Sequence, residues 1–90
     1  MPDQIIDAIM ASAIQVEAAR AHPLLAWIVM HDPPEYPDAF VARLMTSGPT
    51  PYLLRADCLA EVQAQLPRGL VRAERQPVDP PEVVEVWFLR

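Results

Sequence analysis

Hydrophobic positions along this chain change rhythm from helical to alternating. Over residues 3–21, Ile5, Ile6, Ile9, Ala13 and Val16 fall within about 100° of one another on a helical wheel. Gln4, Asp7 and Gln15 take the other side. The spacing predicts an amphipathic helix that buries its isoleucine stripe. Asp3 stands where an N-cap belongs, and Asp3 and Asp7 near the start with Arg20 near the end suit the helix dipole. His22-Pro23 stops the helix, because the residue before a proline leaves the α region. Met10 offers a second start that would remove the first turns.

Residues 24–30, LLAWIVM, are an unbroken apolar run whose β-branched and aromatic content predicts a strand. Lacking polar alternation, it is expected to be covered on both faces. The proline-rich loop at 31–39, HDPPEYPDA, excludes a tight two-residue hairpin. At 40–45 a strand places Phe40, Ala42 and Leu44 on one face and Val41, Arg43 and Met45 on the other. Ser47-Gly48-Pro49 marks a turn, and 52–55 reads as a short strand. Asp57 is the expected cap of a helix running to about Leu66. That helix would bury Leu59, Val62 and Leu66 with Cys58 beside them, and turn Glu61, Gln63 and Gln65 to water. Pro67 and Gly69 end it. Strands at 70–75 and 83–89 follow, the last with Val84, Val86 and Phe88 against Val83, Glu85 and Trp87.

The order α-β-β-β-α-β-β predicts one small α+β domain with an antiparallel-rich sheet and helices packed on it. Residues 1–22 read as a helical extension or cover, and 23–90 as the core; residues 52–75 suit a right-handed crossover. The 57–66 helix can shield one face of the 24–30 strand only. The N-terminal helix is the expected cover of the other face, and a second molecule is the alternative. At ~25 cal/mol per Å², leaving Trp27 and Ile28 wet would cost several kcal/mol, so some cover is required.

Composition sharpens this picture in a few places. A 52% hydrophobic, 21% charged chain has the apolar surface to fold. A net charge of −5 argues against a nucleic-acid or anionic-membrane binder. All seven basic residues are Arg, and eleven prolines against two glycines stiffen the turns. One cysteine excludes an internal disulfide and an all-cysteine zinc site. Asp3 and Asp7 stand where a secretion signal carries positive charge, and the 24–30 run is far short of the ~18–20 residues that span a bilayer. The expected compartment is the cytoplasm, without membrane partners.

Candidate chemistry is sparse, and no cofactor motif is present. His31, Asp32, Glu35, Tyr36 and Asp38 crowd one loop, in a spacing that fits no standard zinc or calcium pattern. A small-ligand or metal site there, with His31, Asp32 and Tyr36 as contacts, is the alternative function. Cys58 near a helix start is a weaker nucleophile candidate; a buried structural thiol is the expectation. The leading candidate is a sheet face carrying Val41, Arg43, Met45, Arg72, Glu85 and Trp87, since Arg, Met and Trp are enriched at interfaces. On that face Arg43 and Arg72 could pair with Glu74 and Glu85 across strands. The expected function is thus a small non-enzymatic interaction or regulatory module, binding a protein partner or a second copy of itself.

From Trp27 to Trp87 the residues resemble a type of short, uncharacterised bacterial protein. The pattern is Tyr36-Pro37, Phe40-Val41-Ala42-Arg43, Ala56-Asp57 with Leu59, and Leu66-Pro67. It continues through Gly69-Leu70, Arg72 and Asp79-Pro80 to Val84-Glu85 and Trp87. The resemblance implies a compact α+β unit and no catalytic residues. By fold analogy the βββα order is also similar to double-stranded-RNA-binding-like and HicB-type antitoxin modules. The sparse basic residues depart from what RNA recognition needs.

Overall fold

The computed structural model describes residues 2–74 and 76–89. Its elements run β1 (Gln4–Ile5), α1 (Ala8–Ala21), β2 (Ala26–His31), β3 (Phe40–Met45), β4 (Pro49–Ala56), α2 (Leu59–Gln65), β5 (Leu70–Ala73) and β6 (Val83–Leu89). The strands form one six-stranded sheet in the order β1-β4-β3-β2-β6-β5. β1 pairs parallel with β4, and every other neighbour is antiparallel. The α+β class and the single domain are those expected from the sequence. The added element is β1, which two residues form by pairing Gln4 with Tyr52 and Ile5 with Leu53.

That short strand displaces the expected helix start. Asp7, not Asp3, caps α1: its Oδ1 accepts from the Met10 N–H at 2.8 Å. Asp3 is thereby released for another role. The second helix also starts late. Cys58 rather than Asp57 is its N-cap, and it makes no side-chain cap bond. The thiol is exposed, against the expectation of a buried one.

Both helices lie on the same face of the sheet. Ala11 of α1 and Val62 of α2 share one core with Leu25, Trp27 and Val29 of the β2 region, Ala42 and Leu44 of β3, and Leu54 of β4. The N-terminal helix therefore does not supply the cover of the second face of β2 that the sequence predicts. Its inward stripe is also inverted. In α1, Ala11 and Gln15 are buried and Ile14 and Ala18 pack on the core, whereas Ile9 is 81% exposed and Val16 55%; Ile6, ahead of the helix, packs on the core as the sequence predicts.

The reason for the inversion is a hydrogen bond. Trp27 sits in the central strand with no exposed surface, so its indole N–H has no water to donate to. Gln15 Oε1 accepts that N–H at 2.8 Å, and its Nε2 donates to the Arg68 carbonyl at 3.1 Å. One amide thus ties α1, β2 and the turn before β5 together. The wheel alone would turn Ile9 and Val16 inward; satisfying Trp27 turns Gln15 inward instead.

Replacing Gln15 with Leu leaves the Trp27 N–H and the Arg68 carbonyl unpaired. The expected loss of stability is about 1–3 kcal/mol. Val16→Ser on the outer side should stay within about 0.5 kcal/mol of the parent. Urea unfolding of the two variants measures the contrast directly.

Candidate functional site

The helix-free face of the sheet divides into a roofed half and an open half. Register places Val41 beside Arg55 and Arg43 beside Leu53, so these four share that face. Val41 and Leu53 are nevertheless almost fully buried. Their cover is built from the N-terminus and the 32–39 loop. Asp3 grips Arg43 through two bonds, Nη1 to Oδ1 at 2.8 Å and Nη2 to Oδ2 at 2.9 Å. The Tyr36 hydroxyl donates to Asp3 Oδ2 at 2.9 Å, and the Arg55 guanidinium lies 5.7 Å from the Tyr36 ring centre. Tyr36 thus spans from Arg55 to the Arg43–Asp3 pair, above Val41 and Leu53. Arg43 also donates to the Thr50 carbonyl at 2.9 Å.

Electrostatics in this roof are tightly set. The bidentate Arg43 bonds, helped by the Tyr36 hydroxyl, hold the Asp3 carboxyl down at about 2, against an ordinary 3.8. Burial, then the Asp3 carboxylate, raise the Tyr36 phenol above its usual value.

The loop residues expected to bind a ligand are occupied by the loop itself. Asp32 Oδ1 accepts from the Asp38 N–H at 2.8 Å, and the Asp32 N–H donates to the Ala39 carbonyl at 2.9 Å. Asp32 and Asp38 both take left-handed backbone conformations, with φ of 55° and 64°, as a closed loop of this kind demands. His31 stacks on Phe40, its register partner, with ring centres 4.2 Å apart. Tyr36 is committed to Asp3. Among the described residues, no three His, Cys, Asp or Glu side chains come together as a metal ion would need.

The leading sequence candidate is divided between the two faces. Val41, Arg43 and Met45 lie on the helix-free side. Glu85 pairs with Val29, and Trp87 with Trp27, so both lie on the helix side, and Arg72 joins them as the partner of Trp87. Those three form their own cluster. Glu85, only 6% exposed, accepts from Gln63 Nε2 at 2.9 and 3.1 Å, from Arg72 Nη1 at 3.1 Å and from Trp87 Nε1 at 3.1 Å. Burial pushes its carboxyl up, but these donors outweigh it and hold the group below its usual range. The Arg72–Glu85 pairing expected from the sequence therefore forms, while Arg43 pairs with Asp3 instead. Gln63, expected to face water, is drawn in by Glu85.

The open half carries an apolar cleft. Ile28, Met30, Met45 and Val86 floor an apolar cleft of about 410 Å³, with Arg43 at one rim and Asp79-Pro80 at another. Beside it Phe88 is 44% and Val71 41% exposed. A β-bulge between Val29 and Met30 shifts the register so that Met30 meets Val83, which closes one end of the cleft. The sequence singles out Arg43 and Met45 here and marks Ile28, on the second face of β2, as needing cover, but not Met30 or Val86 as site residues. The available signal is the unbroken apolar character of the 24–30 run, which leaves neither face polar. A second cleft of about 510 Å³ lies between α1 and the β3–β4 turn, lined by Ile14, Ala18, His22, Leu44 and Tyr52.

No family model, curated protein or solved structure matches this chain. No helix among the described residues is long and apolar enough to cross a membrane.

The Asp3 carboxyl binds its proton less readily in the folded chain than in the unfolded one. Its contribution to stability is therefore full above pH 4 and is lost as pH falls from about 4 toward about 2. Acid titration of stability should show this loss in the parent and a flatter profile in Asp3→Asn.

Proposed function

We propose that this chain is a protein-interaction module that receives an apolar segment of a partner protein on the open half of its helix-free face. The observation that carries the reading is the apolar cleft floored by Ile28, Met30, Met45 and Val86. In a domain of ninety residues, a contiguous apolar area left by two helices that both pack elsewhere is a recognised mark of a docking surface. Two methionines in the floor supply flexible side chains that adapt to a partner's shape. The Asp3–Arg43–Tyr36 roof gives the cleft a fixed polar wall. The module is set in the cytoplasm, where an exposed single thiol stays reduced. A small apolar ligand is the second reading, favoured by the cleft volume of about 410 Å³.

Site-specific photocrosslinking in the native host separates these readings. A crosslinker at Met45 should give one discrete protein adduct, and one at Ser12 on the outside of α1 should not. Met45→Glu should weaken binding of the captured protein by about tenfold or more without changing thermal stability much. Equal adducts from both positions would contradict the docking reading. A small molecule retained by the purified chain in native mass spectrometry would favour the second.

A further inference from the structure

The sheet ends at β5, and no described strand lies beyond it. The direction of its free backbone groups follows from one bond. The Leu89 N–H donates to the Leu25 carbonyl at 3.1 Å, so Leu89 turns its peptide groups toward β2. Alternation along β6 then turns those of Phe88 and Val86 toward β5, where their register partners are Val71 and Ala73. Leu70 and Arg72 must therefore point their N–H and C=O groups outward, along the open edge. Val71 lies between them, exposed on the helix-free face beside Phe88.

We propose that a second copy of this chain pairs its own β5 antiparallel with this edge, about a twofold axis at Val71. Leu70 of each copy then exchanges backbone hydrogen bonds with Arg72 of the other. The two Val71 side chains meet at the axis, in the closely spaced position between those bonded pairs. Charge selects this register. Just past the strand ends, where the chain turns at Arg68-Gly69, it brings Glu74 of each copy near Arg68 of the other, and both residues are exposed. Outward-facing Leu70 and Arg72 can otherwise pair only after a shift of two residues. A shift one way opposes Arg72 to Arg72, and a shift the other way opposes Arg72 to Arg68. Like charges disfavour both.

This inference goes beyond the docking function and does not depend on it. It has a consequence for that surface, however. β5 borders the open half of the helix-free face, so pairing joins the two open halves through a row Phe88–Val71–Val71–Phe88. Val71, exposed in the single chain, becomes covered.

Sedimentation equilibrium of the full chain, from low to several hundred micromolar, tests the pairing. The parent should show a monomer–dimer equilibrium in that range. Val71→Lys sets two ammonium groups face to face and should weaken association by roughly tenfold or more. Arg68→Glu and Glu74→Arg should each weaken it several-fold, and the double reversal should restore it. Circular dichroism melts confirm that each variant is folded. A parent that stays monomeric throughout overturns the proposal. So does a dimer indifferent to Val71→Lys, or a double reversal no better than the single ones. None of these substitutions lies in the cleft, so failure of the dimer and failure of partner docking read out separately.

Discussion

A single buried amide governs how this chain assembles. Trp27 occupies the middle of the central strand, where the sheet and both helices exclude water completely. A buried indole N–H left unpaired would cost about as much as a small domain can spare. Gln15 answers that N–H and the Arg68 carbonyl at once. This requirement rotates α1 so that its glutamine side faces inward, and it holds the turn that launches β5. Once α1 is set on the same face as α2, no helix remains for the other face.

The second face is then managed by polar means. Pro2 and Asp3 lead into β1, and the proline-stiffened 32–39 loop folds back over β3 and β4. Arg43, Asp3 and Tyr36 lock the two together, over Val41 and Leu53. The ion pair keeps 16% of its arginine and 27% of its aspartate side-chain surface, so it is shielded more than a free surface pair. The roof ends at Arg43. Beyond it, toward β2, β6 and β5, apolar side chains are left partly open, and that boundary defines the candidate surface.

Much of this was legible in the residues. The β3 alternation of Phe40, Ala42 and Leu44 against Val41, Arg43 and Met45 is as the period of two predicts. The α+β class followed from element order. What was hidden depended on partners distant in sequence. Nothing local marks Gln15 as the acceptor for Trp27, so the wheel favoured Ile9 and Val16 as the inner stripe. Asp3 looked like a cap because its partner Arg43 lies forty positions away. Glu85 and Trp87 looked like companions of Arg43 because sheet register, including the bulge at Val29 and Met30, cannot be read from one strand at a time. With Asp57 as the cap, Cys58 would be the first helical residue and turn toward the core; with Cys58 itself as the cap, the helix begins at Leu59 and the thiol stays outside it.

Indole hydrogen exchange gives the most direct test of the Gln15–Trp27 constraint. The chain has two tryptophans, so its indole N–H resonances are separable by NMR. Trp27, fully buried and held by α1, should exchange only through global unfolding. Its protection should fall with urea at the full unfolding slope. Trp87, half-buried and bonded to Glu85, should exchange faster through local opening. A Trp27 N–H that exchanges as fast as that of Trp87, with little dependence on urea, would contradict the account.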